Sequence, residues 1–154
     1  MDKAQEHQQS LYLCFVDFQK AFDSIPHDKL WITMLDMGYQ THLVNLLMNL
    51  YRKQLTKVRV AGTLSECFRV IKGVRQGCVL SPYLFNIIAD MVMRETLDGY
   101  TGGLQIGGCH ISNLRYADDI VLIATSRQEL QELVDCLHRA SGKCGLIYNI
   151  IESP

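Results

Sequence analysis

The residues best suited to chemistry lie in Leu114-Arg115-Tyr116-Ala117-Asp118-Asp119-Ile120-Val121-Leu122-Ile123, where two adjacent carboxylates separate two apolar, β-forming runs. The pattern predicts a β-hairpin with both aspartates at its tight turn. Charge at the junction of two buried strands is costly unless something there needs it. Paired carboxylates suit a divalent metal held against phosphate oxygens, because Mg²⁺ takes oxygen ligands and keeps positions open for substrate. On its own, an Asp-Asp pair fits a solvated turn equally well. A second segment adds to it. Leu11-Tyr12-Leu13-Cys14-Phe15-Val16-Asp17-Phe18 is an apolar and aromatic run that meets a carboxylate at Asp17. It predicts a fully buried strand ending there. Beside the hairpin, Asp17 would complete a three-carboxylate cluster that repels itself without cations. Two metal ions about 3.5–4 Å apart would relieve that repulsion and clamp an in-line phosphoryl transfer.

Other elements must position such a cluster. Ile25-Pro26-His27-Asp28 breaks the chain and starts a helix with Leu30, Met34 and Met37 at helical spacing, ending at Gly38. A second helix is expected from about Gln40 to Lys53, burying Leu43, Leu46, Leu47 and Leu50. Residues 57–72 read as a hairpin turning near Ala61-Gly62. Ser81-Pro82 marks a helix start, with Ser81 as N-cap and Pro82 in the first turn, ahead of Leu84, Ile88, Met91 and Val92. Gly102-Gly103 and Gly107-Gly108 bracket short strand-like pieces. Ser126-Arg127-Gln128-Glu129 has the capping-box pattern, followed by Leu130, Leu133, Val134 and Leu137 on one face. Gly142 and Gly145 are expected to end that helix, and Ile147 to Ile151 to form a last strand. Antiparallel strands backed by helices make an α+β layer fold. Asp23, six residues after Asp17, reads as a turn or helix-start cap.

At 154 residues the chain is long enough for one domain with a real core. No apolar run reaches the roughly 18 residues a membrane span needs, so no membrane partner is expected. The polar, acidic first ten residues do not resemble a signal peptide. Six cysteines lack paired metal-ligand spacing and read as reduced thiols, mostly in the core. The net charge is −1, yet residues 51–75 carry seven Lys and Arg against the single Glu66, a local +6. That stretch reads either as a solvated hairpin face or as a surface tracking a nucleic-acid backbone.

Four segments, in order, resemble the motifs of a reverse transcriptase palm of the non-LTR, LINE-like retrotransposon type. Phe15-Val16-Asp17-Phe18-Gln19-Lys20-Ala21-Phe22-Asp23 resembles the first palm motif, and Gly73-Val74-Arg75-Gln76-Gly77-Cys78-Val79-Leu80-Ser81-Pro82-Tyr83-Leu84-Phe85-Asn86 the second. Tyr116-Ala117-Asp118-Asp119 resembles the third, and Gly145-Leu146 with Asn149 the fourth. The resemblance runs from about Leu11 to about Asn149. It implies a polar leader over 1–10 and a palm over 11–154: an RRM-like antiparallel sheet with helices on one face, with fingers and thumb largely absent. It implies an RNA-directed DNA polymerase joining a dNTP to a primer 3′-hydroxyl, with an RNA template and a DNA primer as partners, as part of a retrotransposon polyprotein. Two Mg²⁺ ions, or Mn²⁺, would be held by Asp17, Asp118, the supporting Asp119 and the main chain of Phe18.

The same resemblance implies that Phe22 is the steric gate against a 2′-hydroxyl, and that Gln76 and Gly77 contact the incoming nucleotide. Arg75, Ser81 and Pro82 would contact template, and Tyr116 and Asn149 would support the site. The chain departs from the family pattern at Val79, where proline is usual. It also departs after Asn149, where Glu152 stands near the position of a usual lysine. Those departures leave an alternative, a catalytically inactive retroelement remnant with at most nucleic-acid binding.

Overall fold

The computed structural model describes residues 10–116 and 118–151. The leader expected over 1–10 falls almost wholly outside them, as does Glu152. The central feature is a four-stranded antiparallel sheet in the order β10-β1-β9-β8. Its strands are β1 (Tyr12–Phe18), β8 (Asn113–Tyr116), β9 (Asp119–Ala124) and β10 (Tyr148–Ile151). Among the described residues five helices accompany it: α1 (Ala21–Ser24), α2 (His27–Asp36), α3 (Thr41–Arg52), α4 (Ser81–Thr96) and α5 (Arg127–Cys144). Three two-stranded ribbons complete the described architecture. They are β2 (Leu55–Thr56) with β5 (Phe68–Arg69), β3 (Arg59–Val60) with β4 (Thr63–Leu64), and β6 (Leu104–Ile106) with β7 (Cys109–Ile111).

Burial alternates along β1. Cys14, Val16 and Phe18 are buried, whereas Tyr12 and Phe15 are exposed and Asp17 is half-buried. The expectation of a fully buried strand is therefore corrected. Helices cover one face of the sheet, and successive side chains point to opposite faces. The covered face meets Phe85, Ile88 and Val92 of α4 and Leu133 and Leu137 of α5 in one core. Phe85 anchors it, with its ring 5.9 Å from Phe18 and 5.6 Å from Phe22.

Several local expectations shift by a residue or a face. In α3 the buried side chains are Val44, Leu47 and Tyr51, while Leu43, Leu46 and Leu50 are exposed. The apolar stripe is wider than the surface its neighbours cover. Leu80, not Ser81, caps α4; Ser81 lies inside the helix, buried, and its hydroxyl donates to the Arg75 carbonyl. Gly142 lies within α5, and Gly145 alone ends it, at a φ of 69°. Only Cys14 and Cys144 are buried, while Cys67 and Cys109 are exposed, so the thiols are not mostly core. The expected single hairpin over 57–72 is two nested ribbons, with Ala61 and Gly62 at the tip at φ 48° and 85°. Positive φ at both central residues matches the strand-compatible two-residue turn.

The cap of α5 is reciprocal but offset. The Ser126 hydroxyl accepts from the Glu129 N–H at 3.2 Å. The Glu129 carboxylate accepts from the Thr125 hydroxyl at 2.8 Å and the Thr125 N–H at 3.0 Å, one residue earlier than a standard box. The Thr125 bonds hold the Glu129 carboxyl below its usual range. A lowered folded pKa gives stability that is present above about 4.5 and lost as pH falls through the folded value. Glu129→Gln should cost about 1 kcal/mol at neutral pH. Urea titrations should show the gap between the two proteins closing as pH drops below 4.5.

Candidate metal and nucleotide site

β1 pairs with β9 so that Asp17 stands directly opposite Asp119, and with β10 so that Asp17 stands opposite Asn149. Tyr116 of β8 stands opposite Asp119. Directly paired residues share a face, so Tyr116, Asp119, Asp17 and Asn149 form one row across the sheet. Their face is opposite to the one bearing the buried Val16 and Ile120, and so is not the helix-covered one. Asp118 is half-buried in the turn between β8 and β9, so the hairpin has one aspartate in its turn and the other at the start of β9.

Sequence reasoning ranked Asp118 above Asp119. The register makes Asp119 the direct neighbour of Asp17. Among the described residues, no three His, Cys, Asp or Glu side chains gather into a group able to hold a metal ion. The Asp17–Asp119 pair nonetheless suits a hard divalent cation. Mg²⁺ is commonly bound by one or two carboxylates plus substrate phosphates rather than by an all-protein cage. Like charges directly opposite each other on a sheet are also destabilising until a cation offsets them. The β1–β9 ladder ends at this pair, whereas β1–β10 continues through Phe18 and Tyr148. The main chain of Phe18 thus lies just beyond the end of β9, while its ring is buried.

The row continues into contacts that sequence reasoning missed. The Gln19 amide donates to the Asn149 side-chain oxygen, and the Gln19 N–H donates to the Ile147 carbonyl at 2.8 Å. Gln19 carried no signal of its own, since its partner lies 130 residues away. Asp23 is a second miss. It is not a helix cap: the N-cap of α1 is Lys20, in the left-handed region and without a side-chain cap bond. Instead Asp23 faces the Gln76 amide, at 3.3 and 3.5 Å from its two oxygens.

That contact joins the first and second motif segments. Behind it the Val74 N–H donates to the Phe22 carbonyl at 2.6 Å, and the Gly73 N–H to the Ile25 carbonyl at 2.8 Å. Gly73 has a φ of 86°, and a Cβ there would sit 3.0 Å from the Asp23 backbone, so only glycine allows this approach. Gln76 and Gly77 are exposed in a turn closed by the Cys78 N–H on the Arg75 carbonyl at 3.2 Å. Gly77 has a φ of 79° and open space where a Cβ would lie. Arg75 and Pro82 are exposed, whereas the Ser81 hydroxyl is turned inward. Phe22 is half-buried against Phe85. The site residues therefore fall into two groups: the row on the sheet, and the loop 73–77 docked on α1.

A family model described as reverse transcriptase (RNA-dependent DNA polymerase) matches residues 1–150. The chain belongs to the reverse transcriptase family. Among curated relatives, it is 38% identical over 121 residues to the Pol polyprotein of the type-1 retrotransposable element R2 of Nasonia vitripennis, covering 79% of this chain. It is 36% identical over 130 residues, 84% of this chain, to that of the type-2 element R2DM of Drosophila melanogaster. The RNA-directed DNA polymerase of the mobile element jockey of Drosophila funebris is 28% identical over 143 residues, covering 88% of this chain and 15% of that protein. These relatives place this reverse transcriptase in the LINE-like type. The chain spans 12% of the length of each R2 protein. Telomerase from Candida tropicalis, solved with a TWJ fragment of telomeric RNA, superposes with a TM-score of 0.73 at 16% identity. That match covers 99% of this chain and 27% of the telomerase chain, and it shows the α+β fold.

Two outcomes test the geometry. Asp17→Asn removes one of two opposed charges and should raise stability in EDTA by up to about 1 kcal/mol. In thermal melts it should also abolish the stabilisation that Mg²⁺ gives the unsubstituted protein. Gly73→Ala should cost more than about 2 kcal/mol, from the positive φ and the backbone clash together. Unchanged denaturation would show that the loop does not sit on α1 as described.

Proposed function

We propose that this chain is the palm of an RNA-directed DNA polymerase, over residues 11–154, working within a longer retrotransposon protein. The observation that carries the reading is the Asp17–Asp119 cross-strand pair on the sheet's open face, with Asp118 on the adjoining turn, in a reverse transcriptase chain. The substrates are a primer 3′-hydroxyl on an RNA template and a dNTP, and the product is a primer longer by one nucleotide, with pyrophosphate leaving. Two Mg²⁺ ions, with Mn²⁺ a workable substitute, supply activation of the 3′-hydroxyl and neutralisation of the charge gathering on the transferred phosphate.

The chain's own residues do the holding and orienting. Asp17 and Asp119, joined by Asp118 from the adjoining turn, would hold the ions, with the main chain of Phe18 as a further donor. Asn149, tethered by Gln19, stands opposite Asp17 on the neighbouring strand. The Gln76 amide nitrogen is engaged by Asp23, which leaves its oxygen to accept a hydrogen bond from a nucleotide hydroxyl. Gly77 lets a nucleotide approach the main chain closely, because no Cβ stands in the way. Phe22, held by Phe85, is the bulky ring that discriminates against a 2′-hydroxyl. Arg75, Ser81 and Pro82 form the template side, with Ser81 acting through its bond to the Arg75 carbonyl. Tyr116, 83% exposed and next to Asp119, is free to pack on a bound substrate.

The test is primer extension on an RNA template, by this segment carried within a chain of the relatives' length. Synthesis should require Mg²⁺ or Mn²⁺ and should fall at least about a thousandfold in Asp118→Ala, as expected when a group clamping the transition state is lost. Equal extension by the variant, or no synthesis by the unsubstituted protein, would reject the polymerase reading. The second result would favour the inactive remnant.

A further inference from the structure

A contact behind loop 73–77 is left unused by the polymerase reading. The chain entering the loop runs antiparallel to the start of α2. The His27 N–H donates to the Ile71 carbonyl at 3.4 Å, and Lys72 bridges to Pro26. The His27 side chain then folds back onto the same segment, with Nε2 2.7 Å from the Gly73 carbonyl oxygen. A carbonyl oxygen only accepts, so Nε2 carries the proton and donates.

The Gly73 carbonyl and the Val74 N–H belong to one trans peptide, so they point to opposite sides of the chain. Both ends are bonded. The Val74 N–H donates to the Phe22 carbonyl at 2.6 Å, and the Gly73 carbonyl accepts from His27. A peptide plane bonded at one end can still swing about its flanking dihedrals; bonded at both, it is fixed. The point matters here because glycine, at a φ of 86°, has the widest backbone freedom of any residue. This plane sets the direction in which the chain leaves toward Gln76 and Gly77. Main-chain bonds from the Gly73 and Val74 N–H groups already dock the loop, so the imidazole adds orientation more than attachment. The imidazole is itself held. It meets the Tyr51 ring edge-on at 5.1 Å and lies 6.1 Å from the Trp31 ring, and those two rings meet at 5.6 Å. Trp31 of α2 and Tyr51 of α3 are both buried.

We propose that His27 is a positioning residue for the incoming nucleotide: by fixing the Gly73–Val74 peptide plane, it holds the loop in the shape that presents Gln76 and Gly77. The proposal rests on the polymerase reading and names what sets its nucleotide loop. Two variants separate the bond from the packing. His27→Leu keeps apolar bulk against Trp31 and Tyr51 but has no donor. His27→Gln loses the ring yet carries an amide N–H donor at about the reach of Nε2.

Amide hydrogen exchange of the 154-residue chain reads the loop directly. In His27→Leu the Val74 amide should exchange about five- to tenfold faster, as expected for one lost hydrogen bond. The amides of Ile88 in α4 and Leu137 in α5, both fully buried, should keep their rates. His27→Gln should bring Val74 back to within about threefold of the unsubstituted chain. Primer extension by the longer protein reads the consequence. In His27→Leu the KM for dNTP should rise about five- to tenfold with kcat within about twofold, and His27→Gln should recover most of the loss. Equal acceleration at Val74, Ile88 and Leu137 would show that His27 only packs, and would overturn the proposal. So would an unchanged Val74 rate in His27→Leu, a greater loss in His27→Gln than in His27→Leu, or a fall in kcat with KM unchanged. A longer protein that makes no DNA rejects the polymerase reading and the nucleotide role with it, while the Val74 rates still decide the loop contact. The two failures are therefore distinguishable.

Discussion

Asp17 and Asp119 carry like charges and face each other across adjacent strands, and the structure around them depends on that opposition being enforced. The repulsion costs up to about 1 kcal/mol. Behind the pair the same register sets Val16 against Ile120 and Cys14 against Leu122, all four buried. Each such side chain contributes about 1.5–3 kcal/mol of burial. A one-residue slip would separate the carboxylates, but it would also turn this whole set toward water. Core burial therefore wins over electrostatics by a wide margin, and the carboxylates remain where a cation can relieve them.

The second constraint is the approach of loop 73–77 to α1. The side-chain link between Gln76 and Asp23 is exposed and long, so it adds little stability. The position of the loop is set by main-chain bonds from Gly73 and Val74 to Ile25 and Phe22. These bonds exist because Gly73 has no Cβ. The weak amide contact can then orient Gln76 without having to hold the loop. Phe85 connects the two groups of site residues from below, touching Phe18 at the end of β1 and Phe22 on α1.

Much of this was legible in the sequence because it depends on local rules. The strand through Asp17, the hairpin at Asp118-Asp119, the Ala61-Gly62 turn and the Ser126–Glu129 cap each follow from a few consecutive residues. What was illegible depends on pairing across the chain. Continuous apolarity in Leu11 to Phe18 predicts burial on both faces, and only the one-sided placement of α4 and α5 leaves Phe15 and Asp17 on an open face. The pairing of Asp17 with Asp119 rather than Asp118 is a matter of register, which no local pattern specifies. Gln19 with Asn149 and Asp23 with Gln76 are separated by 130 and 53 residues, and neither pair has a sequence signature. Ser81 misled because a serine before a proline looks like a cap, whereas its hydroxyl is taken by the Arg75 carbonyl.

The open face also has an order to it. Two residues along the strands from the polar row of Asp119, Asp17 and Asn149, on the same face, lies an apolar row in which Phe15 pairs with Val121 on one side and Ile151 on the other. Any ligand long enough to span the carboxylates and continue along the strands covers that row as well. Covering it removes water beside the two charges, and charge–charge interactions strengthen as the local dielectric falls. An ion between Asp17 and Asp119 would then be held more tightly with a ligand in place than without one. The apolar row would thus couple occupancy of the sheet face to occupancy of the carboxylate pair through burial alone, without any movement of the sheet.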